Sequence, residues 1–549
     1  MALTSRAKGS RKFEHIGVVG LRLCFAPSKP VKRGAAREPF CLVTLLLVVA
    51  SGCRESGVDP FIHLNAPAVT LAHVRVIDGT GRPGVDDQMV VIQDGRISAV
   101  GQSGTIRVPP NGQVVDLNGR TVIPGLVGMH EHLFYEIERP SSGQIVVAPQ
   151  ATFAKLYLAS GVTTIRTAGT VDLRGDLRIK RLIDEGKEPG PKIHITGPYL
   201  NAVSADPDPE RIARQVVDAA NQGATSFKAY TTLRSAELRA AIQAAHERGL
   251  RVTGHLCAVG FRQAAALGID NIEHGLVFDT EFYSGKQPDQ CPSQNDVFGE
   301  LLNMDITDAA IQQTMSDLVR HGVAVTSTLA VIESFTGRDS VLDSRVLNIL
   351  SPRLQDAYRA ARDAWSDPKG GWPRAWAGLL RKEMQFERAF VAAGGRLMAG
   401  VDPTGWGGVV AGFGDQRELE LLVEAGLSPE VAIKVATSNG ANFLRENNIG
   451  TIAAGKQADL VVVRGNPSAH ISDVRNVEMV FKDGVAYDPA KLIDATTGTV
   501  GQFDFTRLLR WPWNVMLGGI LLLFVARILW RHSGSDHRRP ATHPSIEPI

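Results

Sequence analysis

Short apolar runs alternating with helical patterns fill the middle of this 549-residue chain and constrain its fold most strongly. Repeated strand-helix units favour a parallel sheet, and eight of them favour a (β/α)₈ barrel. One intervening segment, AELRAAIQAAHERG, repeats Ala and Leu at helical spacing and closes with Gly. We therefore predict an α/β fold with a TIM-type barrel over residues 122–444, whose strand candidates are TVIPGLVGMHEH, GVTTIRTAG, PKIHITG, TSFKAYTTL, RVTGHL, NIEHGL, VAVTSTL and RLMAGVDPTG.

Both flanks of the predicted barrel read as strands joined by turns. Before it, VTLAHVRVIDGTG and QMVVIQDGRISAVG are rich in Val and Ile, and QDGR and LNGR are hairpin signals. After it, GTIAAGKQADLVVVRGNP and NVEMVFKDGVAYD have the same character. We predict one small β-sandwich built from residues 66–121 and 445–490.

Two connections within the predicted barrel are longer than a plain linker. They follow strands six and seven and cover about residues 276–320 and 330–395. The second contains Trp365, Trp372 and Trp376. We expect both stretches to act as lids over a site.

Residues 1–53 combine a basic leader with a signal-like segment. The apolar run from Phe40 to Ala50 has the length of a signal-peptide core and is too short to span a bilayer. The following VVASGC resembles a bacterial lipoprotein signal, in which Cys53 would become the lipidated first residue. A start codon placed too early, ordinary cleavage and an uncleaved anchor are the alternatives.

Residues 511–532, WPWNVMLGGILLLFVARILWRH, predict a transmembrane helix with tryptophans at its borders and Arg527 as its one interior charge. A buried or amphipathic terminal helix is the alternative. Arg538 and Arg539 lie in the basic polar tail of residues 533–549, and the positive-inside rule places such a tail in the cytoplasm. We expect a protein of the bacterial cell envelope, membrane-anchored, with its main domain in the periplasm.

Net charge and cysteine content limit the kinds of partner and the redox state that we expect. A formal net charge of +2 gives no electrostatic footprint for nucleic acid, and we expect a small-molecule or short-peptide substrate instead of a nucleic-acid partner. Of five cysteines, Cys257 and Cys291 remain if the leader is removed and Cys53 is lipidated, and an oxidising compartment would permit a disulfide. Two free thiols are the alternative. The oligomeric state stays open, and a homo-oligomer is compatible with the sequence.

Chemistry-bearing side chains recur at the predicted carboxyl ends of the strands, where barrels place their catalytic residues. In HEH, His130 and His132 share one face of an extended strand, because successive side chains alternate. Each such residue alone has a structural explanation, such as a solvent-facing histidine or a turn aspartate. Six such residues, His130, His132, Lys228, His255, His274 and Asp402, fall at the predicted strand ends, and their convergence indicates a functional site in which His130 and His132 can hold a metal ion.

This pattern resembles the amidohydrolase superfamily, in its binuclear-metal subgroup with a carboxylated lysine on strand four. The segments that carry the resemblance include VIPGLVGMHEH, NIEHG, the barrel-end aspartate and GTIAAGKQADLVVV. GVTTIRTAG and FGDQRELELLVEAGLSPEVAIKVATSNGA are similar to the imidazolonepropionase-like and Xaa-Pro dipeptidase branch. The family often has Asp where Thr167 stands, and VDPTG also departs from the commoner pattern, which bears on substrate choice.

The resemblance implies two divalent metal ions, with Zn²⁺ as the expected ion, and a bridging hydroxide as the nucleophile. Lys228 would carry a carbamate, since a lysine ammonium has no lone pair to offer. The implied arrangement is one ion on His130, His132 and Asp402, the other on His255 and His274, and the Lys228 carbamate between them.

On this basis we assign roles to Asp402, Tyr230 and Arg166. Asp402 would be the catalytic acid and base that takes the hydroxide proton and passes it to the departing amine. Tyr230 should share the inward face of Lys228 and is a candidate hydrogen-bond donor to substrate, with a packed barrel tyrosine as the alternative. For Arg166 we favour a structural ion pair over a contact with a substrate carboxylate.

We therefore predict a metal-dependent hydrolase of amide C–N bonds in dipeptides of the Xaa-Pro type or in N-acyl amino acids. Hydrolysis of a cyclic amide or lactone and deamination are alternatives on the same site. A deaminase of this superfamily more often uses one metal without the lysine, so Lys228 argues against it. A catalytically silent binding or scaffold protein on the same fold is the alternative of another class, and the retention of all six candidate ligands argues against it.

Overall fold

The computed structural model describes residues 57–139, 143–338, 344–365 and 371–502. The predicted leader of residues 1–53, the predicted transmembrane helix of residues 511–532 and the tail of residues 533–549 lie outside this part of the chain. Within the described ranges, none of the helices combines the length and the apolar character needed to cross a membrane.

The chain enters through strands that flank the barrel. Asp94 and Gly95 form the tight turn of the predicted QDGR hairpin, with φ of 51° and 75°, the left-handed values that such a two-residue turn requires. The six strands before the barrel are β1 (Ile62–Leu64), β2 (Ala68–Val76), β3 (Val85–Gln93), β4 (Arg96–Gln102), β5 (Gln113–Asp116) and β6 (Arg120–Pro124).

The hairpin predicted at LNGR was wrong. β5 and β6 do not pair with each other, and both run parallel to β2, with Thr70 opposite Val114 and Arg75 opposite Thr121. β2 is nine residues long, so it offers backbone groups to both strands in succession. The turn at LNGR therefore passes the chain along β2 instead of reversing it.

Eight parallel strands follow as the barrel wall, with one hairpin inserted after the first of them. β8 (Tyr135–Arg139) and β9 (Gly143–Val147) form that antiparallel hairpin. The barrel strands are β7 (Leu126–Glu131), β10 (Val162–Thr167), β11 (Lys192–His194), β12 (Ser226–Ala229), β13 (Arg251–Gly254), β14 (Asn271–Glu273), β15 (Ala324–Ser327) and β16 (Leu397–Ala399).

Backbone hydrogen bonds link these strands around the barrel. They form two parallel sheets, β7-β10-β11 and β12 to β16 in sequence order. Parallel bridges between Thr196 and Ser226 and between Leu200 and Ala229 join β11 to β12. On the other side, the Asp402 N–H donates to the His130 carbonyl at 2.9 Å and joins the end of β16 to β7. All eight predicted strand segments thus contribute to one barrel.

Helices lie in the connections, and the two long connections carry several each. A proline-started helix beginning at Pro429 runs through a π-helical turn, Val435–Asn439, into the last helix before the barrel ends. The helices are α1 (Gln150–Ala159), α2 (Leu173–Asp184), α3 (Pro209–Gln222), α4 (Ser235–His246), α5 (Phe261–Leu267), α6 (Gln294–Asn303), α7 (Ala309–Arg320), α8 (Leu329–Ser334), α9 (Ser344–Ile349), α10 (Pro352–Trp365), α11 (Gly371–Ala392), α12 (Phe413–Glu424), α13 (Pro429–Lys434) and α14 (Gly440–Leu444).

The packing of β7 decides which of its side chains enter the barrel. Val127 and Met129 belong to a buried apolar cluster that also contains Ala441 and Phe443 of α14. Because side chains alternate along a strand, this outward packing turns His130 to the barrel interior. The apolar residues of HEH's own strand therefore orient its histidines.

The C-terminal flank returns the chain to the first strands. β17 (Leu460–Arg464), β18 (Val477–Lys482), β19 (Val485–Tyr487) and helix α15 (Pro489–Asp494) follow the barrel. β17 pairs antiparallel with β6, so strands from both flanks join one continuous nine-stranded sheet. A buried cluster mixes residues of β2 and β3 with residues of β17 and β18.

The two long connections meet in an aromatic cluster beside the barrel mouth. Trp376 of α11 is buried, and its ring lies 5.0 Å from Phe298 of α6 and 4.7 Å from Phe335. Phe278 joins this cluster to the candidate site, since its ring lies 4.8 Å from that of His255. The side chains of Trp365 and Trp372 lie outside the described residues.

A disulfide ties one mouth loop to the next. Cys257 and Cys291 are bonded, with Cα atoms 4.9 Å apart, so free thiols were the wrong alternative. Cys257 lies in the loop after β13, while Cys291 belongs to the loop after β14. In the same place Lys286 Nζ donates to the Ala258 carbonyl at 2.7 Å, which reinforces the crosslink.

Candidate metal centre

The carboxyl ends of five barrel strands bring the six predicted ligands to one place. His130 lies on β7 and His132 follows that strand, Lys228 lies on β12, His255 and His274 follow β13 and β14 directly, and Asp402 comes shortly after β16. Because the strands are parallel, their carboxyl ends lie at the same end of the barrel and bring these side chains close together. The result is a polar cluster at the mouth of an apolar barrel.

Three of the six form a compact group. His132 Nε2 lies 3.0 Å from Asp402 Oδ1, and His130 Nε2 lies 3.8 Å from the same oxygen. One donor atom from each of these residues lies within 4.8 Å of the others. Two imidazole nitrogens and a carboxylate oxygen facing one point match the ligands of a divalent transition metal such as zinc.

The remaining three predicted ligands adjoin this group. His274 Nε2 lies 3.9 Å from Asp402 Oδ2, and the His255 and His274 rings are 4.6 Å apart between centroids. Lys228 Nζ lies 3.0 Å from His130 Nε2. Asp402 therefore faces both histidine groups, and Lys228 contacts the first of them.

Two of these residues have a backbone conformation that residues other than glycine rarely adopt. His274 has φ of 68° and Asp402 has φ of 48°, both in the left-handed region. For a residue with a Cβ this costs about 1 kcal/mol or more, and such strain concentrates at functional sites. At His274 the conformation ends the alternation of β14.

Burial keeps the histidines uncharged. Desolvation lowers the pKa of His130 to about 4, with Lys228 adding to the effect, and lowers the pKa of His255 to about 3. Burial likewise lowers the pKa of His132 and brings that of His274 well below its usual range. Neutral imidazole is the form that binds metal.

The two charged members respond in opposite ways. Burial lowers the pKa of the Lys228 ammonium to about 8, so a substantial share is neutral amine near physiological pH. Burial alone would raise the pKa of Asp402, but His130 and His132 lower it well below its usual range. Asp402 is therefore a carboxylate among neutral imidazoles.

One buried atom among the described residues shows that the cluster fits a metal ion. His274 Nδ1 lies 2.8 Å from Thr328 Oγ1, whereas its Nε2 is buried without a hydrogen-bond partner. An unpaired buried nitrogen is costly, and a metal bond would satisfy it. The donor set and this lone nitrogen together fit divalent metal at the site.

Tyrosines border the lysine. Tyr230, predicted beside Lys228, lies with its ring centre 6.0 Å from Lys228 Nζ and 5.2 Å from the His255 ring. Tyr199 lies at 5.8 Å from the same nitrogen, although the sequence reading did not single it out. Burial raises the pKa of Tyr230 to about 12, so its hydroxyl keeps its proton.

The sequence reading also missed Glu273. This fully buried residue accepts from His130 Nδ1 at 2.8 Å and from Arg166 Nη2 at 2.8 Å. Burial alone would raise its pKa, but Arg166 and His130 bring the pKa well below the usual range. Arg166 is buried and also donates to Thr253 Oγ1 at 3.3 Å. Its contact with Glu273 is the structural ion pair that we favoured for it.

Comparisons with known proteins agree with this fold and site. The amidohydrolase family model matches residues 121–486. Imidazolonepropionase from Nocardia farcinica (strain IFM 10152) is 23% identical over 418 residues, which covers 72% of this chain and 91% of that protein. Adenine deaminase 2 from Jannaschia sp. (strain CCS1) is 40% identical over 80 residues, 14% of this chain and only 13% of that protein.

Solved structures show the same fold. A Xaa-Pro dipeptidase with methionine bound in its active site has a TM-score of 0.57 at 23% identity and covers 77% of this chain and 100% of its own. A molinate hydrolase also has a TM-score of 0.57, at 18% identity, with coverage of 80% and 100%.

Fold and site together define a metal-binding hydrolase built on a barrel. The family match covers about two thirds of the sequence, and the chain belongs to the amidohydrolase family. It is a hydrolase that acts on C–N bonds. The alternative of a catalytically silent scaffold protein is therefore rejected.

The left-handed backbone at position 274 predicts an unusual stability order. In the metal-free protein, His274→Gly should be more stable than His274→Ala by about 1 kcal/mol, because glycine adopts this φ without strain. Urea unfolding with a chelator present measures the difference. At Thr253, in the extended strand β13, the glycine variant should instead be the less stable one. The same order at both positions would contradict strain at His274.

Proposed function

We propose that this protein hydrolyses the amide bond of dipeptides, of the Xaa-Pro type in particular, or of N-acyl amino acids. The observation that carries the proposal is the convergence of neutral imidazoles, one carboxylate and one amine with a lowered pKa at the barrel mouth. Such a donor set suits a pair of divalent ions, with Zn²⁺ as the expected metal. Bound there, the ions would lower the pKa of water and polarise the substrate carbonyl.

Lys228 acts as a carbamate in this proposal. Its neutral amine adds to CO₂, forming an N–C bond and releasing one proton, which leaves an anionic carboxylate on Nζ. The 3.0 Å contact between Lys228 Nζ and His130 Nε2 supports this role, because it puts the new carboxylate among the other ligands. The lowered pKa supplies the neutral amine that the addition requires.

Asp402 handles the proton in the proposed reaction. As a carboxylate 3.0 Å from His132 Nε2, it can accept the proton of the attacking water and pass it to the departing nitrogen. Its fixed backbone and its contact with both histidine groups hold it in place. Tyr230 stays protonated, and its hydroxyl can donate to the substrate beside the scissile bond.

Aromatic walls favour a substrate with an apolar part. Phe134 lies 4.3 Å from the His132 ring and Phe278 lies 5.0 Å from the His274 ring, between centroids. These rings exclude water and suit a compact apolar group such as a proline ring. The structural likeness to a Xaa-Pro dipeptidase supports the same substrate class.

A cyclic amide is the second candidate substrate. Similarity to imidazolonepropionase extends over 91% of that protein, which favours this alternative over the others. Deamination is less well supported, because the match to adenine deaminase covers a short segment and Lys228 argues for a two-metal site.

We also propose that the protein is anchored in the bacterial cell envelope with its catalytic domain in the periplasm. The disulfide between Cys257 and Cys291 supports the placement, because such bonds persist in oxidising compartments and are rare in the cytosol. The signal-like and apolar terminal segments agree with it.

Cell fractionation with thiol alkylation tests this location. The protein should be found in the membrane fraction, and Cys257 and Cys291 should resist alkylation until a reductant is added. A cytosolic chain with both thiols alkylated at once would contradict the placement.

Metal analysis tests the proposed function. The detergent-purified full-length chain, loaded with Zn²⁺ and bicarbonate, should contain about two ions per chain and hydrolyse Xaa-Pro dipeptides. Lys228→Ala should lose metal and activity, and loading without bicarbonate should lower the metal content of the parent but not that of Lys228→Ala. Inductively coupled plasma mass spectrometry measures the ions.

Lys192→Ala is the matched control, since this lysine lies on β11 and pairs with Glu446 outside the site. It should bind zinc like the parent. No bound zinc in the loaded parent would sink the proposed mechanism. Zinc without cleavage of any dipeptide, but with cleavage of a cyclic amide, would move the second candidate to first place.

A further inference from the structure

Glu273 stands at the centre of a buried hydrogen-bond chain beneath the metal site. Oε2 contacts His130 Nδ1 at 2.8 Å, and Oε1 accepts from Arg166 Nη2 at 2.8 Å. The side chains of Glu273 and His130 are fully buried. Each carboxylate oxygen thus has a partner within the protein, and the group is sealed from substrate.

The hydrogen-bond partners determine which nitrogen of His130 carries the proton. Lys228 Nζ lies 3.0 Å from His130 Nε2 and can donate to it both as an ammonium and as a neutral amine, so this contact accommodates an unprotonated Nε2. Glu273, paired with Arg166, is a carboxylate and offers only lone pairs. The proton therefore resides on Nδ1, which leaves the Nε2 lone pair on the side of the ring where Lys228 Nζ lies at 3.0 Å and Asp402 Oδ1 at 3.8 Å.

We infer that Glu273 is a positioning residue that fixes the tautomer and orientation of His130 and thereby sets the affinity of the site for metal. The inference rests on the proposed function, because it takes His130 to be a ligand. Carboxylates that orient metal-binding histidines typically contribute 10–100-fold in metal affinity. Arg166 takes part by keeping Glu273 charged and by anchoring it to β10.

The left-handed turn at His274 makes this arrangement possible. In an extended strand, neighbours such as Glu273 and His274 would point to opposite faces. With φ of 68° at His274, Glu273 contacts His130 inside the barrel while the His274 ring lies 4.5 Å from the His130 ring. Two consecutive residues thus serve the same site.

Glutamine at position 273 should reverse the tautomer. Its amide has one acceptor oxygen, and the Arg166 guanidinium, which can only donate, will take it. The amide NH₂ then faces His130 Nδ1, which must accept. The ring proton moves to Nε2 and removes the lone pair that a metal needs.

Zinc affinity and the tautomer of His130 are the two readouts. Competition with a chromophoric chelator should show zinc binding 10–100-fold weaker in Glu273→Gln than in the parent full-length chain. In the metal-free parent, ¹⁵N NMR of histidine-labelled protein should show His130 protonated on Nδ1, and in Glu273→Gln on Nε2.

Glu237→Gln is the matched control, because Glu237 is also buried and pairs with an arginine, Arg234, on α4 away from the ligands. It should leave zinc affinity unchanged. Equal zinc affinity in the parent and Glu273→Gln, or a proton on Nε2 in the parent, would overturn the inference. The tautomer of the metal-free parent decides even if Glu273→Gln fails to fold. A parent that binds no zinc but keeps the proton on Nδ1 would overturn the proposed function alone.

Discussion

Holding several imidazole rings uncharged around one carboxylate is the constraint on which the rest of the site depends. The low pKa values of the histidines arise first from burial, which removes water that would stabilise the charged form. Asp402 stays charged in the same environment because His130 and His132 lower its pKa. Burying neutral donors beside a fixed negative charge is costly for the fold but prepares the cluster for a cation.

One backbone hydrogen bond both closes the barrel and positions candidate ligands. The hydrogen bond from the Asp402 N–H to the His130 carbonyl joins the last strand to the first. The same bond puts the Asp402 carboxylate beside His132. Closing the barrel in this register therefore brings together the three candidate ligands His130, His132 and Asp402. Left-handed backbone at His274 and Asp402 is the local strain that accompanies this geometry.

The sequence predicted the barrel strands because short apolar runs with chemistry-bearing ends have few alternatives. It also indicated the ligands, since residue type and position at a strand end are visible without coordinates. Glu273 could not be found in this way, because its neighbour His274 already occupied the inward position in a regular strand. Only the positive φ at His274 lets Glu273 and His274 both reach the site, and the sequence NIEHG does not indicate that φ.

Other differences have equally local causes. LNGR carries turn residues that suit a hairpin, but the free edge of β2 recruits β5 and β6 in succession. The two flanks join as predicted, through β6 and β17, but this particular pairing, between segments more than 300 residues apart, is not encoded by any local pattern. The disulfide depends on two loops meeting at the barrel mouth, so sequence could only leave it open.

Anomalous X-ray diffraction from crystals of the zinc-loaded protein, grown with bicarbonate, tests the central claim most directly. The account predicts two zinc peaks about 3.5–4 Å apart, with added density on Lys228 Nζ between them. One peak should contact His130, His132 and Asp402, and the other should contact His255 and His274. Absence of zinc from both groups, or an unmodified Lys228 turned away from two bound ions, would contradict it.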